Sequence, residues 1–162
     1  MLVSTEIPLE GILRAHLLWV GNPLEGRRAD LSGLILNERR LVRANLHQAI
    51  LVGATLLDAD LSEADLTKTK LVRADLQRAN LTGADLTAAD LTEAKLAGAR
   101  MAGANLSEVS AHGATFRKAT MTGARLMEGS FQQAIFQEAS LAESSFHQAQ
   151  RVNKKTLSYF HP

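Results

Sequence analysis

The stretches 64–68 (Ala-Asp-Leu-Thr-Lys) and 84–88 (Ala-Asp-Leu-Thr-Ala) are two copies of one five-residue pattern that organises most of the chain. From Leu31 to Phe146, 23 of the 24 positions spaced by five carry Leu, Met or Phe, and Ala111 is the exception. Two residues before this central position, Ala occurs in 18 of the 24 units. Self-similarity at a fixed period is typical of repeat architectures.

A period of five suits neither an α-helix nor a flat strand. In a helix, residues five apart lie about 140° apart around the axis, so the leucines would form no apolar stripe. In a strand, an odd spacing would place successive leucines on opposite faces. The pattern therefore predicts a coil that turns a corner in every unit. The central residue and the Ala two before it point inward, and the other three positions point outward.

Charges one residue before each central position indicate the number of sides, because facing residues in stacked coils should carry opposite charges. At an offset of 20 residues, opposite pairs outnumber like pairs by three to one. The opposite pairs are Arg40 with Asp60, Lys70 with Asp90 and Asp75 with Lys95, and the like pair is Asp65 with Asp85. Offsets of 15 and 25 give two against two and two against four. The counts favour four sides.

With this motif in unbroken register, residues 29–150 resemble the pentapeptide repeat proteins. The resemblance implies an all-β solenoid, a right-handed quadrilateral β-helix. About six coils would form a rod on the order of 29 Å long, at about 4.8 Å per coil. Residues expected in its core include Leu46, Leu66, Leu86, Leu106, Phe116 and Phe136, of which the last two should stack. Small residues accompany large ones, as where Gly129 precedes Phe131, because each layer must conserve volume.

The two ends are expected to close the solenoid. Residues 1–28 contain apolar residues with helical spacing, ended by Gly21-Asn22-Pro23: Leu9, Ile12, Leu13, Leu17 and Val20. We expect a short N-terminal α-helical cap and linker there, because an open end exposes core side chains and strand edges. Residues 151–162 are expected to form a C-terminal cap or tail. The chain is then a monomer or a weak end-to-end dimer.

Composition argues against several classes of protein. The net charge of +1 predicts no bulk electrostatic partner, and the absence of Cys excludes disulfides and thiolate chemistry. The N-terminus lacks the basic start of a secretory signal, and no stretch has the roughly 18 apolar residues of a membrane span. We therefore expect a cytoplasmic protein without membrane association.

No arrangement of polar residues predicts catalysis, a metal site or a cofactor. The five-residue spacing of the carboxylates suggests that they bond the turning backbone; they are Asp60, Asp65, Asp75, Asp85 and Asp90. A metal centre needs ligands meeting at one point. His47 and His147 share a side but lie five coils apart, His112 lies on another side, and His16 and His161 belong to opposite ends. Basic residues are mixed with acidic ones, and exposed aromatics are scarce, so direct nucleic-acid binding is not expected.

The candidate interaction patch is apolar. Five large apolar residues occupy outward positions on two adjacent sides of the first three coils: Ile35, Ile50, Val52, Leu57 and Val72. Contiguous exposed apolar surface often marks a contact site. The alternatives are that residues 20–28 or a terminal helix cover these side chains, or that they are simply favourable strand residues.

These expectations favour a non-enzymatic interaction scaffold with a protein partner. The resemblance is greatest to compact cyanobacterial members with an N-terminal helix, one of which contacts a transcription regulator, so regulation of a bacterial regulatory protein is the specific hypothesis. The alternative is a DNA-mimicking protein that binds and protects DNA gyrase, like the quinolone-resistance members. The near-neutral charge and the lack of projecting loops disfavour that alternative.

Overall fold

The computed structural model describes residues 9–149. The helix α1 spans Leu9–Gly21, and the chain then winds into a coil whose five-residue units each form one side. Single parallel bridges join neighbouring coils, from Asp30 with Ile50 to Arg125 with Ser145, and each joins residues 20 apart. This is the register of a four-sided coil. The C-terminal cap or tail expected at 151–162 lies outside the described residues.

The bridges form four columns, which define the four sides of the rod. Side 1 carries Asp30, Ile50, Lys70, Asp90, Ser110 and Ser130, and side 2 carries Ile35, Thr55, Asp75, Lys95, Thr115 and Ile135. Side 3 carries Arg40, Asp60, Asn80, Arg100, Thr120 and Ser140, and side 4 carries Asn45, Asp65, Asp85, Asn105, Arg125 and Ser145. An outward residue on any side therefore stands beside the residue 20 positions later.

One set of backbone hydrogen bonds repeats along the rod. The Leu66 N–H donates to the Asp85 carbonyl at 2.7 Å, and the Asp85 N–H donates to the Ala64 carbonyl at 3.0 Å. At the corner, the Lys68 N–H donates to the Thr87 carbonyl at 2.9 Å. These bonds satisfy backbone groups that would otherwise be costly to leave unpaired.

Every corner residue two positions after the central residue has a positive φ. Seventeen of these positions carry a residue other than Gly, and seven carry Gly. A left-handed conformation costs a residue with a Cβ about 1–2 kcal/mol. Most corners of the rod therefore carry the conformational cost of a positive φ, and the hydrogen bonds between coils offset this cost.

Gly53→Ala is expected to lower the free energy of unfolding by about 1 kcal/mol. A Cβ at Gly53 would meet nothing within 4 Å, but its φ is +64°, so only backbone strain contributes. Gly21 also has open space around it and lacks the positive φ, so Gly21→Ala is the matched control. Equal losses in the two variants, measured by chemical denaturation, would contradict this account.

The core is a stack of central residues with alanines packed between them. Buried members include Leu46, Leu66, Leu86, Leu106, Phe116 and Phe136. The rings of Phe116 and Phe136 stack at 4.8 Å with an angle of 8° between their planes, as their spacing of 20 predicts. A Cβ on Gly129 would lie 2.6 Å from the Phe131 ring. The small residue thus makes the room that the large one fills.

Helix α1 packs on the first coil, but not with the whole apolar set expected from its spacing. Leu9, Ile12 and Leu13 contact the core, whereas Leu17 is 55% exposed, so its expected inward orientation is wrong. His16 is fully buried instead. It follows Ile12 by four residues and Leu13 by three, which places it on the inward stripe.

Candidate interaction surface

The candidate interaction patch divides between two sides of the rod. On side 1, Ile50 is bridged to Lys70, and the Gly53 N–H donates to the Val72 carbonyl at 2.9 Å, which places Val52 beside Val72. Ile35 and Leu57 belong to side 2, where the Leu57 N–H donates to Asn37 Oδ1 at 3.0 Å. Ile35 is 75% exposed, and the other four residues are half-buried. The outward apolar surface of the patch is therefore concentrated at Ile35, in the first coil.

Exposed large apolar side chains concentrate near the N-terminal end of the described chain. Five of seven lie in α1, in the linker or in the first coil: Leu17 (55%), Leu18 (50%), Leu24 (94%), Leu34 (39%) and Ile35 (75%). The other two, Met127 and Ile135, lie near the opposite end. The first three were not predicted, because helical spacing groups Leu17 with the apolar residues of the cap and does not single out Leu18 or Leu24.

His16 fixes α1 to the first coil. Its Nδ1 accepts a hydrogen bond of 3.1 Å from the Ala29 N–H, and its ring stacks on Trp19 with centroids 5.6 Å apart. Nε2 is buried without a hydrogen-bond partner in the described part of the chain. Burial lowers the pKa of His16 below the usual 6.5, and the charge of His47 acts in the same direction. The neutral imidazole is therefore the favoured form of His16 in this buried position.

The linker supports the same contact. Gly26 passes so close to the helix that an added Cβ would lie 2.3 Å from the Ala15 carbonyl oxygen and the Trp19 nitrogen. The Arg27 N–H donates to that Ala15 carbonyl at 3.1 Å. Only a residue without a Cβ permits this approach. Backbone contacts thus hold the helix to the linker, and His16 holds it to the first coil.

Carboxylates along the rod are engaged in local structure. Asp65 Oδ1 accepts from both the N–H (3.0 Å) and the hydroxyl (2.6 Å) of Thr67, and Asp60 makes the same contacts with Ser62. The hydrogen bond from the Ser62 hydroxyl lowers the pKa of Asp60, and the hydrogen bond from the Ser62 N–H adds a smaller lowering. These are turns of the Asx type. The carboxylates therefore stabilise corners and are not arranged as an acid and base pair.

Ion pairs between coils lie chiefly at the corners. Arg43 pairs with Glu63 at 2.7 Å, and Arg78 pairs with Asp58 at 2.6 Å. The hydrogen bond from Arg78 lowers the pKa of the Asp58 carboxyl. Exposed pairs of this kind contribute little to stability, because water and salt screen them. They are better regarded as a charged pattern on the surface than as a source of rigidity.

Within residues 9–149, no group of three or more His, Cys, Asp or Glu is placed to hold a metal ion. The side chains of His47 and Thr67 meet at 2.6 Å between Nδ1 and Oγ1, and Gln48 also contacts the His47 ring. None of the helical segments within these residues has the length and apolar character that a membrane span requires.

Solved structures similar to this chain are themselves pentapeptide repeat proteins. HetL from the cyanobacterium Nostoc sp. strain PCC 7120, involved in heterocyst differentiation regulation, is 34% identical, with a TM-score of 0.35. The match covers 74% of this chain and 60% of HetL. The protein alr5209 from Nostoc PCC 7120 is 37% identical over 46% of this chain and 62% of its own, with a TM-score of 0.46.

A trypsin-treated form of QnrB1, a plasmid-mediated fluoroquinolone resistance protein, is 18% identical over 75% of this chain and 73% of its own. Its TM-score is 0.38, and at this identity the likeness concerns the fold alone. Among curated proteins, none matches the chain.

The family of pentapeptide repeats matches the chain directly, with 8 copies over residues 27–56, 40–78, 59–96 and 84–123. Together these ranges run from 27 to 123, which is more than half of the 162 residues. The fold that the pentapeptide repeats imply is a right-handed quadrilateral β-helix, in agreement with the four columns of bridges. The chain belongs to the pentapeptide repeat family.

Proposed function

We propose that this chain is a non-enzymatic scaffold that binds a protein partner through apolar surface near the N-terminal end of its rod. The observation that carries the proposal is the concentration of exposed large apolar residues there, led by Ile35 at 75% exposure and Leu24 at 94%. A large exposed apolar surface often marks a site at which another protein binds. The polar groups of the rod, in contrast, serve turns and corner pairs.

The proposed biological role is regulation of a bacterial regulatory protein, as in cyanobacteria. HetL, which is 34% identical, is involved in the regulation of heterocyst differentiation. Because the match spans 60% of HetL, its role comes to this chain only as a proposal. We further propose that the chain is cytoplasmic, binds no nucleic acid directly and does not associate with membranes.

The proposed architecture completes this scaffold. Helix α1 serves as the N-terminal cap of about six coils, counted as four columns of six bridge positions. The rod is then a monomer, or a weak dimer joined end to end. A rigid rod of this kind keeps its sides in fixed relation, so that partner binding needs little reorganisation of the scaffold.

The test is a double variant of the candidate interaction patch, Val52→Lys with Leu57→Lys. The tagged protein is cross-linked in its host, and captured proteins are quantified by mass spectrometry. The proposal expects a specific partner whose recovery falls at least about tenfold, equivalent to about 1.4 kcal/mol of binding. Thr92→Lys with Ala97→Lys changes the same two positions of sides 1 and 2 two coils later and should leave recovery unchanged.

Failure to capture a specific partner in repeated cross-linking would contradict the scaffold role. Binding and protection of DNA gyrase is disfavoured, because a net charge of +1 does not mimic DNA. A supercoiling assay separates the two roles. Protection of gyrase from a quinolone by this chain would favour the gyrase role over the regulatory one.

A further inference from the structure

The first coil has an open backbone edge. In later coils, the residue before each central residue donates its N–H to the preceding coil, as Ile50 does to the Ala29 carbonyl at 2.9 Å. Its carbonyl accepts in return, as from the Leu31 N–H at 2.7 Å. The corresponding residues of the first coil have no such bonds among the described residues: Asp30, Ile35, Arg40 and Asn45. An unpaired row of this kind is a template for another strand.

Three of the four sides protect this edge. On side 1, the hydrogen bond from the Ala29 N–H to His16 holds helix α1 beside the edge, and the residue at the edge is the charged Asp30. On side 4, His16 lies next to His47. On side 3, Arg39 and Arg40 are both exposed, and charged residues are a common means of keeping an edge from pairing.

Side 2 differs from the other three. Its edge segment runs from Leu34 to Asn37, in which Leu34 is 39% exposed and Ile35 is 75% exposed. The segment carries no charged residue. Leu34 occupies a position that points into the core in later coils, so its exposure means that the core is incompletely covered at this point. The side 2 edge therefore combines unpaired backbone groups with uncovered apolar surface.

We propose that the side 2 edge, residues 34–37, binds an extended peptide of the protein partner by strand addition. This inference rests on the proposed scaffold function and specifies how the partner binds. The peptide runs parallel to the segment, as in every bridge of the rod. It accepts from the Ile35 N–H and donates to the Ile35 and Asn37 carbonyls, copying the bonds of later coils. Its inward residues are small or apolar and cover Leu34.

Charge adds a second requirement for the peptide. A strand running parallel to side 2 ends near the corner that leads to side 3, where Arg39 and Arg40 are exposed. Neither forms an ion pair with another described residue. The structure therefore favours an apolar strand followed by an acidic residue. Main-chain bonds of this kind supply affinity, and the alternating side chains supply specificity.

A second copy of the chain does not fit this edge. Helix α1 lies on the first coil, with Leu9, Ile12 and Leu13 against the core. A helix is about 10 Å thick, whereas a paired strand lies about 4.8 Å away. A second rod stacked on this end would meet α1 before its backbone reached hydrogen-bonding distance. A single extended strand needs much less room.

The probe is an acetylated, amidated heptapeptide with the sequence of residues 53–59, Gly-Ala-Thr-Leu-Leu-Asp-Ala. In the rod, this segment of the second coil pairs with the opposite edge of residues 34–38. Titration into ¹⁵N-labelled protein should give saturable shifts of the amides near 34–37. Ile35→Lys should weaken binding at least about tenfold. Ile135→Lys makes the same change on the same side near the other end and should alter affinity less than about twofold.

A backbone variant separates edge pairing from simple apolar contact. Ile35→Pro removes the unpaired N–H but leaves the Thr55 N–H bond to the Leu34 carbonyl and the Leu36 N–H bond to the Thr55 carbonyl. Proline is tolerated where the N–H of an edge strand faces outward. The variant should fold, as checked by circular dichroism, and should bind the peptide at least about tenfold more weakly.

Several results would overturn the proposal. They are no shift at about 1 mM peptide, shifts at another site, or unchanged binding by Ile35→Lys. A dimer that Ile35→Lys disperses would place a second copy on the edge. Faster exchange of the Ile35 amide after removal of residues 1–8 would place the chain's own N-terminus there. Capture of a host partner that survives Ile35→Lys would refute the edge but leave the scaffold function intact.

Discussion

Phe116→Ala is expected to lower the free energy of unfolding by about 3–5 kcal/mol, the usual cost of removing a buried aromatic ring. Phe116 is fully buried, stacks on Phe136 at 4.8 Å and meets Phe131 edge to face at 6.3 Å. The substitution leaves a cavity between two coils that backbone hydrogen bonds hold in place. The site can therefore collapse little, and the cost should approach the upper part of that range.

Chemical denaturation measures this loss, with Met127→Ala as the control. Met127 is 37% exposed on a corner of the rod, so its truncation should cost less than about 1 kcal/mol. A loss below about 1.5 kcal/mol for Phe116→Ala would mean that the aromatic stack is not a close-packed part of the core.

Acidification is expected to release helix α1 from the first coil. Burial lowers the pKa of His16 in the docked state below its usual 6.5, and the charges of His47 and Arg28 act in the same sense, while the His47 backbone and the charge of Asp65 oppose them. The released helix therefore binds a proton more readily than the docked one. Docking is at full strength above about pH 6.5 and weakens as the pH falls toward the lowered pKa. Protonation also removes the lone pair on Nδ1 that accepts the Ala29 N–H.

The single Trp reports this change. Trp19 stacks on His16, so its fluorescence should shift between about pH 7 and pH 5, together with faster amide exchange in α1 and little change in the central coils. His16→Leu should abolish the shift, and His147→Gln, which changes an exposed histidine near the other end, should preserve it. Gly26→Ala should release the helix at every pH, because its Cβ would overlap the Ala15 carbonyl. A shift that persists in His16→Leu would exclude this mechanism.

The repeat register could be predicted from the sequence because packing and backbone pairing have the same period. A one-residue slip would bury polar side chains and expose leucines, so the positions of Leu66 and Leu86 leave one consistent arrangement. The offset of 20 was likewise recoverable from charges. The structure shows every bridge at that offset.

The contacts predicted from the charges nevertheless differ from those in the structure. Of the three opposite pairs used to infer the offset, only Asp75 with Lys95 comes into range, at 3.9 Å. Aspartates at this position turn toward the residue two places later, as Asp60 does toward Ser62. The closer pairs form at the corners instead, between Arg43 and Glu63 and between Asp58 and Arg78. Local hydrogen bonds competed with pairing between coils and prevailed.

The end of the rod was less predictable than its middle. Helical spacing allowed either Leu17 or His16 to face inward, and hydropathy alone favoured Leu17. His16 prevails because the first coil offers an unpaired Ala29 N–H, which an imidazole can satisfy and a leucine cannot. The sequence likewise identified Ile35 as outward, but not that the backbone around it lacks a partner. Such features depend on the position at which the repeats begin. The five-residue period does not contain that information.

The most direct test of the 20-residue register is disulfide formation between paired outward positions, since the chain contains no Cys. Ser62→Cys with Thr82→Cys places thiols on neighbouring coils of side 3, where strand spacing of about 4.8 Å lies within the range for a disulfide. Ser62→Cys with Gln77→Cys, or with Thr87→Cys, tests offsets of 15 and 25. We predict rapid oxidation of the first pair alone in dilute, folded protein. Equal or faster oxidation at either other offset would contradict the four-sided coil.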